Sequence, residues 1–253
     1  MLDNITFNSP FSSVFTSSDR DSASLHSRQL AFSGCDFSWQ HYNRDSYKRY
    51  GIQQPAELAN ATAKRHSEFI AGRYCAAQAI QRLCHHPLSA SRTQIPMLPD
   101  RSPLWPEGNI GSISHSGERA IAVVGSTRNY AGLGIDCETL STNLTTPEIA
   151  DLVLNPREQA LLLDQNQEYG FLLTLAFSAK ESLFKALSPT VSAITSFHDL
   201  SIRRIGAKNI LLSPSAELTD NWPGNTEFAV DYTTQSAHIL TIATLETVAA
   251  DRC

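Results

Sequence analysis

Two short stretches hold the side chains best suited to chemistry. In Gly134-Ile135-Asp136-Cys137-Glu138, apolar and acidic residues alternate. A strand has a side-chain period of two, so this stretch would set Asp136 and Glu138 on one face and Leu133, Ile135 and Cys137 on the other. Phe177-Ser178-Ala179-Lys180-Glu181-Ser182-Leu183-Phe184-Lys185 contains no Gly or Pro and reads as a helix. Phe177, Glu181 and Lys185 are spaced by four and share one side of it. Asp136, Glu138 and Glu181 can then converge on a hard divalent cation. Magnesium suits such a set, because it takes oxygen ligands and commonly keeps waters and substrate phosphate oxygens in its shell. Lys180 and Lys185 beside the metal would hold a phosphorylated substrate. Taken singly, each fragment reads as ordinary surface: a solvated strand face, and a Glu–Lys helix pair contributing about 0.2–0.5 kcal/mol. Their combination with what lies upstream is what points to a site.

The elements that must position these groups fit within 253 residues, enough for one large domain or two small ones. Hydrophobic residues make up 42% and charged residues 18%, an ordinary globular balance. A net charge of −5 argues against broad nucleic-acid binding but leaves room for a local basic pocket that takes one anion. No apolar run of about 18 residues is present, so no membrane span is expected. The start, Met1-Leu2-Asp3-Asn4, lacks the pattern of a secretory signal. The five cysteines (Cys35, Cys75, Cys84, Cys137, Cys253) have no metal-ligand spacing, which points to free thiols in a reducing compartment, the cytoplasm.

Residues 1 to about 30, rich in Ser, Asp and Asn, read as irregular or as an edge segment. The aromatic and basic mixture around Trp39, His41, Tyr42 and Tyr47-Lys48-Arg49-Tyr50 reads as packing. From Pro55 to Cys84 the chain reads as helical, with Phe69, Ile70, Ala77 and Ile80 on an apolar face. Arg65 and Arg73 lie eight residues apart, about 12 Å along a helix, and project from broadly the same side. Small residues at Ala71, Gly72, Ala76 and Ala77 allow another element to come close. A proline-rich loop, Asp100-Arg101-Ser102-Pro103-Leu104-Trp105-Pro106, follows. Ile110–Gly117 and Ala120–Gly125 read as two strands joined by a turn near Gly117-Glu118, with Ser114 and His115 near the end of the first. Pro147-Glu148 and Pro156-Arg157-Glu158 can open short helices, and Glu158 is a fourth acidic candidate. Beyond Leu187 the chain looks β-rich, at 200–205, 209–212, 228–232 and 238–245, the last two forming a hairpin.

These residues, in this order, resemble the 4′-phosphopantetheinyl transferases, and more narrowly the larger, monomeric, siderophore-associated enterobactin-synthase branch. The resemblance rests on Lys64-Arg65 through Arg73-Tyr74-Cys75-Ala76, Pro103-Leu104-Trp105-Pro106, Gly111-Ser112-Ile113-Ser114-His115, Gly134-Ile135-Asp136-Cys137-Glu138, and Phe177-Ser178-Ala179-Lys180-Glu181 with Lys185. It spans roughly residues 60 to 190. It implies an α+β fold of two similar halves joined as a pseudo-dimer with coenzyme A between them. Residues 1–130 would carry the nucleotide-binding helix, and residues 131–253 the metal-binding acids. The implied reaction moves 4′-phosphopantetheine from coenzyme A to a serine of an apo acyl, aryl or peptidyl carrier and releases adenosine 3′,5′-bisphosphate.

The resemblance also assigns roles. Asp136, Glu138 and Glu181 would hold magnesium, while Lys180 and Lys185 would contact phosphates or position the serine. Arg65, Arg73 and Arg101 would bind nucleotide phosphates through their guanidinium forks. Ser114 and His115 would donate to phosphate near the adenosine end. Glu181, a water on the metal, or Glu158 could accept the serine proton. Two other readings use the same residues. A magnesium-dependent phosphohydrolase or nuclease would let water reach the phosphorus, and a carrier-binding scaffold would keep the fold without the chemistry.

Overall fold

The first long helix begins where its sequence supplies a cap. The reading from sequence opened it at Pro55. In the computed structural model, Pro55 precedes only a single 3-10 turn at Ala56–Leu58, and helix α2 runs Ala63–Cys84 after the short α1 at Ser46–Arg49. Thr62 sets the start. Its hydroxyl accepts from Arg65 N at 3.3 Å and its carbonyl from His66 N at 3.0 Å, the two bonds expected of a Ser/Thr cap. The structure describes residues 5–6, 30–84, 94–140, 147–188, 194–215, 218, 226–235 and 237–247. The readings of the first 30 residues and of Cys253 therefore lie almost wholly outside the described residues.

Contacts divide the chain into two compact units, Met1–Leu133 with Glu246–Cys253, and Gly134–Leu245. In the first, β1 (Ile5–Thr6), β2 (Ala31–Phe37), β3 (Asn109–Ser116) and β4 (Arg119–Ser126) form an antiparallel sheet in the order β1-β2-β4-β3. The uninterrupted apolar run Ala120–Val124 follows from β4 lying inside this sheet with α2 across it, so that alternate side chains on both faces are buried. Gly117, with φ +61°, makes the β3–β4 turn. The small residues on α2 act as expected: a Cβ on Gly72 would stand 2.8 Å from Ile113 Cγ2. Trp105 of the proline-rich loop lies against Gly111, where a Cβ would meet its ring at 2.8 Å.

The second unit pairs a five-stranded sheet with three helices. β5 (Tyr130–Thr139) begins before the unit boundary and carries its acidic half within it. The sheet order is β5-β9-β8-β7-β6, with β6 Leu200–Ile205, β7 Asn209–Pro214, β8 Phe228–Gln235 and β9 His238–Glu246. α3 (Pro147–Val153) and α4 (Pro156–Leu163) start at the two prolines read as helix openers. α5 (Tyr169–Leu187) buries Leu172, Leu173, Ala176, Ala179, Leu183 and Ala186 in the core of this unit. Helices are segregated from antiparallel strands in both units, so the fold class is α+β. Among the described residues no helix is long and apolar enough to cross a membrane.

Gly134 is where α5 and β5 come closest. A Cβ there would stand 1.8 Å from the Ser182 carbonyl oxygen and 2.8 Å from Ala186 N, both backbone atoms that cannot rotate aside. Gly134→Ala must therefore part helix from strand. Overpacking typically costs about 1–3 kcal/mol and occasionally more, so the expected result in chemical denaturation is a midpoint lowered by at least that much, or insoluble protein. An unchanged midpoint would show that the contact does not hold.

Candidate active site

In the second unit, β5 and α5 bring the charged residues of their two motifs together. Asp136 is buried on β5, at 3% exposure. Simple alternation put its carboxylate on a solvated face, but α5 covers that face. Lys185 Nζ donates to Asp136 Oδ1 at 2.6 Å and to Ile135 O at 3.2 Å, and Ser178 Oγ donates to Asp136 Oδ2 at 2.9 Å. Ser178 and Ser182 join Thr241 on β9: the Ser178 and Thr241 hydroxyls lie 2.9 Å apart, those of Ser182 and Thr241 2.6 Å, and Ser182 Oγ donates to Thr241 O at 3.1 Å. Glu181 belongs to the same electrostatic group. Burial raises its pKa above the usual carboxylate value, the Lys185 charge opposes that rise, and the Asp136 charge adds to it. Glu138 follows Asp136 on the same strand face, half-buried.

The donor chemistry suits a hard cation, with Asp136 and Glu181 as anionic oxygen donors around a site that now contains the Lys185 ammonium. Among the described residues, however, no group of three or more His, Cys, Asp or Glu side chains is gathered closely enough to hold a metal ion. Here the compensating cation for Asp136 is Lys185. Carboxylates that can exchange a lysine for a divalent ion fit magnesium, which is commonly bound by one or two protein carboxylates plus phosphate oxygens.

Lys180 is a correction. The sequence reading gave it a phosphate contact or a part in positioning the serine, yet its side chain has no exposed surface and lies in a buried ion pair. Its Nζ reaches Glu158 Oε1 at 2.8 Å and Oε2 at 3.0 Å, and donates to Val153 O at 2.7 Å. Burial lowers its pKa and Glu158 opposes that. Glu158, read as a spare acid or proton acceptor, is spent on structure too. It takes Ile202 N at 2.7 Å and Asn155 N at 2.8 Å, the latter closing a capping box at the start of α4.

In the first unit, Arg65 on α2 and His115 on β3 meet: Arg65 Nη1 lies 3.3 Å from His115 Nε2. A guanidinium can only donate, so Nε2 accepts, and the proton of a neutral imidazole sits on Nδ1. Glu68 pairs with Arg65, 3.4 Å from its Nη1, and lies 3.9 Å from His115 Nε2. Arg73 is buried, its guanidinium 4.6 Å above the Phe69 ring. Burial and the Arg65 charge push its pKa down to about 10, which still leaves it charged at neutral pH. Its Nε finds no hydrogen-bond partner among the described residues. Ser114 is buried on β3. Arg101 is exposed on the turn closed by Leu98 and Ser102, with a left-handed φ of 70°. The sequence reading missed Ser178, Thr241 and Glu68. A signal existed for two of them: Ser178 and Ser182 form a polar stripe on an otherwise apolar helix, and Glu68 stands one helical turn from Arg65.

Comparison with known proteins agrees with this division. The description "4'-phosphopantetheinyl transferase N-terminal domain" matches residues 54–125, and "4'-phosphopantetheinyl transferase superfamily" matches residues 132–243. The chain belongs to the 4′-phosphopantetheinyl transferase superfamily. Enterobactin synthase component D of Salmonella typhimurium is 36% identical over 155 residues, which cover 61% of this chain and 62% of that protein. Its counterpart in Escherichia coli K12 is 38% identical over 131 residues, 52% of this chain and 59% of that protein. The 4′-phosphopantetheinyl transferase Npt of Nocardia iowensis is 33% identical over 153 residues, 58% of this chain and 64% of that protein. The chain thus spans about three fifths of the length of the curated relatives it matches. A solved structure, holo-[acyl-carrier-protein] synthase from Neisseria meningitidis, covers 47% of this chain and 99% of its own at 18% identity and TM-score 0.38, too loose a likeness to argue from.

Two stability measurements check this arrangement. Lys180→Met leaves the Glu158 carboxylate buried without its cation and should cost about 3–5 kcal/mol in chemical denaturation. Lys185→Met should cost less, because that side chain is 26% exposed and water can replace it; equal losses would refute the structural role given to Lys180. The second concerns Glu181. Its raised folded pKa contributes stability that is present below the ordinary carboxylate value and is lost as pH rises through the raised value. Glu181→Gln should therefore raise the melting temperature of ligand-free protein at neutral pH and flatten that part of the pH profile. A lower melting temperature at pH 7 would contradict this.

Proposed function

We propose that this protein transfers 4′-phosphopantetheine from coenzyme A to a serine hydroxyl of an apo carrier domain, releasing adenosine 3′,5′-bisphosphate. The observation that carries the reading is the group formed by Asp136, Lys185 and Glu181, on a chain whose other unit holds a buried arginine with an unpartnered Nε. A buried polar group without a partner is costly, and Arg73 suits a phosphate that would supply the missing acceptor. Arg65 and His115, already in contact, would add donors to the same anion, with Ser114 and Arg101 as further contacts.

The serine oxygen attacks the phosphorus that carries the pantetheine arm, and the bond from that phosphorus to the leaving adenosine bisphosphate breaks. Glu181 accepts the serine proton. Lys185, released from Asp136 when phosphates arrive, moves its charge onto a phosphate oxygen. Asp136 and Glu138, with Glu181 on the facing helix, would hold magnesium once substrate phosphate oxygens complete its shell, and the metal would offset charge on the pyrophosphate and the leaving group. Lys180 does not touch substrate; it fixes the helix that carries Glu181 and Lys185.

The reading extends to acceptor, compartment and assembly. Because the enterobactin synthase components are similar to this chain, an aryl or peptidyl carrier of siderophore synthesis is the proposed acceptor. The enzyme would act in the cytoplasm, where apo carriers are made. It would act as a monomer, since one chain carries both matched domains.

The test is incubation of the purified protein with coenzyme A, magnesium and an apo aryl carrier, read by intact mass. The carrier should gain the phosphopantetheine arm, and chelation should stop the gain. Asp136→Ala should lower the rate by about a hundredfold or more, the scale of losing one electrostatic stabiliser, while circular dichroism stays close to the parent's. Unmodified carrier together with free phosphate would favour a hydrolase and overturn the reading.

A further inference from the structure

The core of the first unit contains two thiols that face each other. Cys35 lies mid-way along β2 and Cys75 mid-way along α2, forty residues apart in sequence, and their sulfurs are 3.3 Å apart. Cys35 is 1% exposed and Cys75 is fully buried. Beside them are the Ala71 carbonyl, 4.0 Å from Cys35 Sγ, and the Ala120 carbonyl, 3.6 Å from Cys75 Sγ. A disulfide needs its sulfurs near 2.05 Å, so the pair must close by roughly one ångström. This is within reach of small rotations at the two side chains. Neither residue takes part in the chemistry proposed above, and the pair belongs to no group of three or more potential metal ligands among the described residues.

We propose that Cys35 and Cys75 are an oxidation site, converted by a peroxide-class oxidant into an internal disulfide that ties β2 to α2. One thiolate attacks a peroxide oxygen, the O–O bond breaks, and hydroxide leaves, giving a sulfenic acid. The second sulfur then attacks the first, forms the S–S bond and expels the second oxygen as water. Each sulfur loses one electron, peroxide gains two, and the two thiol protons end in two molecules of water. The step is slow in the resting protein for two reasons. Burial restricts entry to a small oxidant, and the hydrogen bond that the Cys75 thiol donates to Cys35 Sγ, with burial, holds the Cys75 thiol protonated well above its ordinary pKa. In a reducing compartment the pair stays a dithiol, and the crosslink records oxidative exposure. Its effect is mechanical. It closes a loop of forty residues in the unfolded chain, which disfavours unfolding, and it pins α2 two residues from Arg73.

The test uses the full chain, exposed to hydrogen peroxide, denatured, alkylated and mapped by peptide mass. The expected product is a crosslinked pair of peptides containing Cys35 and Cys75, two hydrogens lighter than the reduced pair, with Cys84, Cys137 and Cys253 alkylated. The melting temperature of the oxidised protein should rise and return to the starting value after dithiothreitol. Cys35→Ser and Cys75→Ala, each checked for folding by circular dichroism, should lose both the crosslink and the rise. Crosslinks to other cysteines, sulfinic acid at Cys35 without a crosslink, or five alkylated thiols after prolonged exposure would each overturn the proposal. None of these outcomes depends on whether the protein transfers phosphopantetheine.

Discussion

A lysine with no exposed side-chain surface sets the geometry of the second unit. Lys180 and Glu158 bind each other, and between them they also hold the C-terminal end of α3 through Val153 O, the cap of α4 through Asn155 N, and β6 through Ile202 N. A buried pair of this kind adds little net stability over apolar residues of equal size, since desolvating two charges offsets most of their attraction. What it adds is uniqueness: every slipped packing of α5 would strand a charge in the core. With Lys180 locked toward α3 and α4, a rotation of about 100° per helical residue turns Glu181 and Lys185 away from that network. They meet Asp136 instead.

The second constraint is distance. Asp136 reaches Ser178 and Lys185 only because Gly134, two residues earlier, lets the strand press against the helix backbone. The hydroxyls of Ser178, Ser182 and Thr241 then satisfy one another along the α5–β9 seam. This seam tolerates no methyl at the glycine and leaves no unpaired hydroxyl among these three. Residues that look like filler between the motif acids are what aim the acids.

Much of this was legible in the residues. The strands read at 200–205, 209–212, 228–232 and 238–245, which the structure extends to 214, 235 and 246, the glycine turn at 117, the proline-opened helices and the close approach at Gly72 all follow from periodicity and local stereochemistry. The helix start was missed because a cap is a single hydroxyl: Thr62 outweighed a proline seven residues earlier. Alternation placed Asp136 and Glu138 on one face of a strand but says nothing about what packs on that face, so the burial of Asp136 under α5 was not legible from it. Lys180 misled for a related reason. A lysine beside a candidate ligand has the same letter whether it faces substrate or core, and only the position of Glu158, 22 residues away in sequence, tells the two apart.

Local rules are broken at several of the candidate site residues. Arg101 holds a left-handed backbone without being glycine, a strain of about 1–2 kcal/mol. Arg73 buries a guanidinium with an unpartnered Nε, and Glu181 is a carboxylate whose ionised form is penalised by burial and by Asp136. A chain selected for stability alone would remove these features, and conservative replacements would do so. Their presence beside a fully satisfied pair such as Lys180–Glu158 separates the two uses of buried charge in this fold. Where both partners belong to the chain, the charge builds structure. Where a partner is missing or has the same sign, the folded state holds part of the binding energy of a ligand that would complete it.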